Sequence, residues 1–329
     1  LILKESGANV SGIFTILAFR PLEAYKRFED VGISVQSLFA LEDFDLPLVR
    51  ESTDSPTLCK ETWRFRAPHP SLHLVVHKST PAVDANAVYS GTDDGSFFAL
   101  NRTDGAVRWV FKIPKTKEGK GILSSPALFE DTVFFGAYDG SVYALDTASG
   151  EKRWSYDDAD WVGSSPALWP QKHLLYLGLE YGLINKRGGI VALDTRSGKE
   201  VWRATHQSLT HGSPLVIPAE SLVVIGSNDG ILYAYDAESG ALQWRFTTRG
   251  DIKMAPAYDP KRRLIAVTSM DGTCYVLNVA DGTPVFARTT DAPIYASPVI
   301  AGDRLYIASL DKNIYAIRLD TYKDAWRYA

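Results

Sequence analysis

The sequence predicts an all-β fold built as a ring of four-stranded units. Three observations carry that prediction. An eleven-residue string recurs six times along the 329 residues. A Ser-Pro segment and a tight turn recur in phase upstream of it. The runs between these marks alternate and are rich in Val, Tyr and Phe, as half-buried strands are.

The string is clearest as ALDTASGEKRW at 144–154 and ALDTRSGKEVW at 192–202. It reads ALNRTDGAVRW at 99–109 and AYDAESGALQW at 234–244. It is worn to VLNVADGTPVF at 276–286 and AIRLDTYKDAW at 316–326. The closing aromatics are Trp109, Trp154, Trp202, Trp244, Phe286 and Trp326, spaced 40 to 48 residues apart. Trp63, in ETWRFR, stands one repeat further back. A period of this size marks stacked repeats.

Each repeat opens on a first strand at STPAV (79–83), SSPAL (124–128), SSPAL (164–168), GSPLV (212–216), MAPAY (254–258) or ASPVI (296–300). The second strand ends in a turn, as in VYSGTDDG, VFFGAYDG, VVIGSNDG and IAVTSMDG. Asp-Gly between two alternating runs signals a tight hairpin, because both turn positions want positive φ. The third repeat departs: YLGLEYGLINKRGG replaces Asp-Gly with a longer loop at 180–189. The third strand is YALD or its equivalent, and the fourth carries the closing aromatic. Four short strands in 40–48 residues make a β-propeller blade. One such sheet cannot bury both of its faces; neighbours stacked around an axis can. Six complete repeats run to Tyr328, and Trp63 marks a lone fourth strand. The expectation is a seven-bladed ring, with about three more strands, roughly 30–35 residues, beyond Ala329.

The recurring string has a physical role. Gly105, Gly150, Gly198 and Gly240 fall in the hairpin between the third and fourth strands, where a left-handed backbone is cheap only for Gly. Asp146, Asp194 and Asp236 can accept hydrogen bonds from the turn's own N–H groups. Ala99, Ala144, Ala192 and Ala234 leave a dent for a neighbouring ring. The aromatics fill such dents and cover the glycines, which makes the string an inter-blade clasp. Burying one aromatic there contributes roughly 3–5 kcal/mol by the cost of its truncation.

These residues resemble the tryptophan-docking motif of the PQQ-like β-propeller repeats, over about 61–329. That family includes quinoprotein dehydrogenases and non-enzymatic scaffolds, so the resemblance implies the fold and leaves the activity open. Catalytic members carry an adjacent cysteine pair, an acidic metal set and a catalytic Asp. Here Cys59 and Cys274 stand far apart, and Asp93, Asp94, Asp139, Asp229 and Asp271 fall in turns. No catalytic, cofactor-binding or metal-binding residue is expected. A quinone-dependent dehydrogenase is the lesser alternative.

Composition narrows the partners. Hydrophobic residues make up 45%, enough for a sizeable core. The 35 basic and 39 acidic residues nearly balance, which argues against a general nucleic-acid binder. Two cysteines in a chain of this size read as free thiols. No apolar run reaches the roughly 18 residues of a membrane span. The sequence opens on Leu1, and no basic segment precedes an apolar core. No signal peptide is therefore expected here, and a longer chain is expected upstream.

His69, His73 and His77 stand four apart, but Pro68 and Pro70 spoil a helix and LHLVVHK alternates like a strand. A metal site there is the lesser reading. His211 precedes GSP at the mouth of an innermost strand, and Lys78, Lys253 and Tyr295 hold similar positions. A ligand at that mouth is one reading, ordinary rim chemistry the other. In the third repeat, Lys186 and Arg187 make the long loop a candidate contact for a protein partner or an anionic ligand.

Residues 1–48 do not repeat. They read as a strand around GIFTILAF, a helix at PLEAYKRFEDVG and a strand at ISVQSLFALEDF, an α/β pattern. LKESGANVSGIFTIL, Arg20 and GISVQSLFALEDF resemble the C-terminal end of orotate-type phosphoribosyltransferases. An unrelated α/β remnant is the alternative. The match carries no catalytic residue, and the resemblance implies that the catalytic loop lies before Leu1. Residues 49–60 read as a polar linker. The expected function is a non-enzymatic protein-binding or ligand-binding scaffold appended to a phosphoribosyltransferase-like domain. Its expected compartment is the cytoplasm, with the periplasm as alternative. The second function is a full-length transferase whose propeller recruits its substrate or partner.

Overall fold

The computed structural model describes residues 62–68, 79–114, 121–182 and 186–328. The chain divides into two compact units, residues 1–64 with 74–76 and residues 65–73 with 77–329. The α/β reading of 1–48, the linker, Cys59, the three spaced histidines and Lys78 lie outside the described residues.

Among the described residues, six antiparallel sheets of four strands follow one another along the chain. They span 82–112, 127–157, 167–206, 215–247, 257–289 and 299–328, each with its strands in sequential order. This is the all-β propeller, one blade per repeat. First strands are only two or three residues long. The proline of each Ser-Pro entry lacks an N–H, so the ladder starts after it. Second and third strands of blades two to five are buried almost throughout, as at Thr132–Gly136 and Ser141–Asp146. Each of these blades has a neighbouring blade on both faces. Fourth strands, such as Val107–Lys112, carry exposed residues because they form the outer edge.

The core lies in the seams. Tyr89 and Phe97 of blade one pack with Phe135, Tyr143 and Leu145 of blade two. Equivalent clusters join blades two and three, three and four, four and five, and five and six. At the inner ends of the blades the Ser-Pro entries form a chain of bonds. Thr80 N–H donates to Ser125 Oγ, Ser125 N–H to Ser165 Oγ, and Ser165 N–H to Ser213 Oγ, at 2.8, 2.9 and 2.9 Å. The next entry carries Ala255, which has no hydroxyl to continue it.

Two expectations are corrected. Part of the loop expected at 180–189 in the third repeat is strand instead. Its second and third strands, Leu174–Tyr181 and Arg187–Asp194, pair as far as Tyr181↔Arg187. Most of the insertion lengthens the ladder, because its backbone groups find partners across the sheet. Nor do residues 62–67 form a strand. A fourth strand takes its ladder from a third, and among the described residues no strand pairs with this segment. Phe65 nevertheless packs on Phe98 at 5.0 Å and 59°. Phe111, one repeat on, packs on Tyr143 of blade two at 5.2 Å and 59°.

Candidate functional site

The closing tryptophans of the first four blades each reach into the following blade. The Nε1–H groups of Trp109, Trp154, Trp202 and Trp244 donate to the carbonyls of Thr147, Thr195, Ala237 and Val279, at 2.9–3.0 Å. Each acceptor lies in the next repeat's string. The rings lie on that string's glycine. A Cβ at Gly150, Gly198 or Gly240 would stand 2.6 Å from the ring of Trp109, Trp154 or Trp202. These glycines also take φ between +68° and +75°, as does Gly105 at +72°. Backbone and contact therefore both demand Gly. Asp146 Oδ1 accepts from the N–H groups of Ala148 and Ser149, and Asp194 and Asp236 cap their turns in the same way. The Arg153 guanidinium 2.6 Å away, helped by those amides, holds the Asp146 carboxyl down at about 2.

The alanines serve a different ring. Ala99, Ala144, Ala192 and Ala234 stand opposite Trp109, Trp154, Trp202 and Trp244 in the ladder of their own sheet. The register shifts just after each pair. The bulge adds local twist where the indole turns toward the next blade. Sequence reading passed over Gly282, although its Asp-Gly lies in phase. A Cβ there would stand 2.5 Å from Trp244.

The last two positions differ. Phe286 stacks on Tyr322 at 4.9 Å and 16°, and Tyr322 occupies the glycine's place at φ +55°. Trp326 Nε1 is buried with no hydrogen-bond partner among the described residues.

At the mouth of the inner strands, His211 Nδ1 stands 2.8 Å from Glu180 Oε2. The contact lies outside hydrogen-bond geometry, and neither Glu180 oxygen has a hydrogen-bond partner among the described residues. Lys253 pairs with Asp251 at 3.1 Å. Lys186 takes φ +44°, and Arg187 opens a strand; both are exposed. His206 was not singled out in the sequence. It is buried flat on Tyr233 at 4.2 Å, with Nδ1 2.8 Å from Thr210 Oγ1 and Nε2 3.0 Å from the Tyr235 hydroxyl. Burial pulls its pKa down to about 4. Cys274 is a buried free thiol whose pKa burial pushes up. Among the described residues no three His, Cys, Asp or Glu side chains converge as a metal site would require.

A sequence-family model described as outer membrane protein assembly factor BamB matches residues 57–183 and 186–328. The chain belongs to that family. Among solved structures, BamB from Moraxella catarrhalis is similar at 20% identity and a TM-score of 0.63, over 81% of this chain and 76% of that one. Saccharomyces cerevisiae Sqt1 is similar at 15% identity and a TM-score of 0.63, over 74% of this chain and 70% of that one. At these identities the likeness is one of fold. No curated protein matches the chain. The BamB family match begins at residue 57 and does not reach residues 1–48. Among the described residues no helix is long and apolar enough to cross a membrane.

Proposed function

We propose that the chain is a non-enzymatic scaffold, a stiff ring that presents its rim to a protein partner. The outer strands carry this reading. Val107, Val110, Val201, Leu242 and Val285, on the fourth strands of four blades, are each 47–51% exposed. A purely solvated edge would carry charge or Pro at such positions. Apolar residues recurring along exposed strands suit an added strand or an apolar partner surface. Membership in a family described as an assembly factor supports the same reading. The tryptophan seams are the clasps that keep the rim in one shape. The test pairs Leu242→Lys with Val285→Lys in tagged protein recovered from its source cells. The melting temperature should hold while the co-purifying protein is lost. A partner that stays bound overturns the reading.

Lys186 and Arg187, exposed at the tip of blade three, make a second contact in this proposal. Shortening that tip to Asn-Asp-Gly should weaken partner binding, and unchanged affinity counts against it. The proposal also fuses the scaffold to a phosphoribosyltransferase-like domain, on the resemblance of residues 1–48. It requires two adjacent acids and a Thr-Gly-rich turn in the coding sequence before Leu1. The cytoplasm is the compartment proposed, and cell fractionation decides between it and the periplasm.

A further inference from the structure

The seam between blades five and six opens at the rim into a groove of about 520 Å³. Residues 286–289, on the outer strand of blade five, make one wall. Tyr322, Lys323 and Asp324 of blade six make the other. The groove lies at the seam where Phe286 and Tyr322 stand in place of the indole and the glycine. Its chemistry is also changed. Two residues past the closing aromatic, Phe111 and Phe246 pack on Tyr143 and Tyr275 of the next blade, at 5.2 and 5.1 Å. Arg288 takes that place in the fifth blade, its guanidinium 5.0 Å from the centre of the Tyr315 ring. The Arg327 guanidinium comes within 5.4 Å of the same ring from blade six.

The charged side chains in the groove wall are Arg288, Lys323 and a single acid, Asp324. Arg288 Nη2 donates to Asp324 Oδ2 at 2.7 Å, which leaves Lys323 exposed with no ion pair among the described residues. The wall therefore carries a surplus of positive charge. The same wall is an open backbone edge. Pro284–Thr289 is the last strand of its sheet and pairs with Thr273–Asn278 on one side only. Phe286 and Arg288 turn into the seam and are half-buried, whereas Val285, Ala287 and Thr289 are exposed. An edge of this kind offers N–H and C=O groups to an added strand. At about 3.3 Å per residue, 286–289 spans roughly 10 Å, the length of about three or four added residues.

We propose that this groove takes an extended acidic segment of a protein partner. The proposal rests on the scaffold reading for there being a partner. The segment pairs its backbone with the edge at 286–289, and its alternate side chains face the groove. A carboxylate among them meets Lys323 and Arg288. Arg288 can serve two carboxylates, because a guanidinium has five donors and Asp324 takes one. The side chain two residues along lies against the stacked rings of Phe286 and Tyr322, and is apolar for that reason. A basic segment sets like charge against both cations and is rejected.

The experiment titrates the folded chain, by isothermal calorimetry, with acetyl-Thr-Val-Glu-Val-Thr-amide and with its glutamine twin. The glutamate peptide should bind saturably and the twin roughly fivefold or more weakly. That gap should close in high salt, because the charges it depends on are at the surface. Methylating the backbone nitrogens of the glutamate and of the valine after it blocks the edge in either registration, and should weaken binding as much. Lys323→Glu, at an exposed site, should keep the melting temperature and weaken the glutamate peptide by roughly fivefold or more. The peptide comparisons need no variant, so they decide the matter should Lys323→Glu fail to fold. Equal binding of the twins, no saturable binding, a gap that salt leaves unchanged, full binding of the methylated peptide, or undiminished binding to folded Lys323→Glu overturns the proposal. The titration needs no partner from cells, so the scaffold reading and this one fail separately.

Discussion

Four seams close with an indole on a glycine, and the fifth closes with Phe286 on Tyr322. The hairpin backbone is the same in both. Tyr322 N–H bonds to Arg318 O at 2.8 Å, as Gly150 N–H bonds to Asp146 O at 2.9 Å. The side chains have exchanged volume across the seam: a smaller ring on one blade faces a larger residue on the other. What looks like wear in the sequence is a paired replacement. It gives up the indole N–H bond, and it holds a bulky residue at positive φ, a strain of roughly 1–2 kcal/mol.

The largest test of the contrast is truncation. Trp154→Ala and Trp202→Ala should each destabilise by roughly 3–5 kcal/mol, read from urea midpoints. Both rings are nearly buried, and each truncation also removes a hydrogen bond to a backbone carbonyl. Phe286→Ala should cost less, about 1–3 kcal/mol, because its ring is only partly buried and makes no polar bond. Equal and negligible losses at all three sites would end the clasp reading.

A swap sharpens the comparison. Phe286→Trp alone should destabilise, because the larger ring meets Tyr322. Tyr322→Gly alone relieves backbone strain and loses the stacked face. Together they rebuild the seam of the first four blades, and the pair should couple by at least about 0.5 kcal/mol in a double-mutant cycle. Additive effects would mean that the two positions changed independently.

The third seam adds a titrating group. His206 is held neutral by burial, with its pKa pulled from 6.5 to about 4 while the nearby Asp229 charge opposes that shift. The unfolded chain therefore binds this proton more readily than the folded one. The contribution is whole above about pH 6.5 and is lost as the pH falls toward 4, at up to ~1.4 kcal/mol per pH unit. His206→Gln should flatten that part of the stability profile measured by chemical denaturation. A variant with the wild-type slope between pH 6.5 and 4 would place the titration elsewhere.

Repetition explains what the sequence made legible. Six copies in phase put Trp109, Gly150 and their equivalents at fixed places in a hairpin before any contact was known. The same averaging hid the exceptions. Tyr322 occupies a glycine's place, so alignment by residue type saw only decay. Ser125, Ser165 and Ser213 read as strand markers, because their acceptor roles depend on a blade 40–48 residues away. The third repeat's insertion read as a loop because ladder pairing is decided by the partner strand. Glu180 and His206 have no local signature at all. Glu180 is the last but one residue of its strand and His206 the last of another, and only their burial in the folded chain sets them apart.

The smallest expected effect separates two tryptophans in equivalent positions. Trp202→Phe keeps most of the ring and removes a hydrogen bond to Ala237 O, which the Tyr176 hydroxyl still reaches at 2.9 Å. The loss should be about 0.5–1.5 kcal/mol. Trp326→Phe removes an N–H that has no acceptor among the described residues. Deleting an unsatisfied donor offsets the lost ring area, so its cost should stay below about 0.5 kcal/mol. Differential scanning calorimetry of the two variants side by side checks this. If Trp326→Phe lowers stability as much as Trp202→Phe does, its N–H is bonded in solution, and the sixth blade is clasped like the first four.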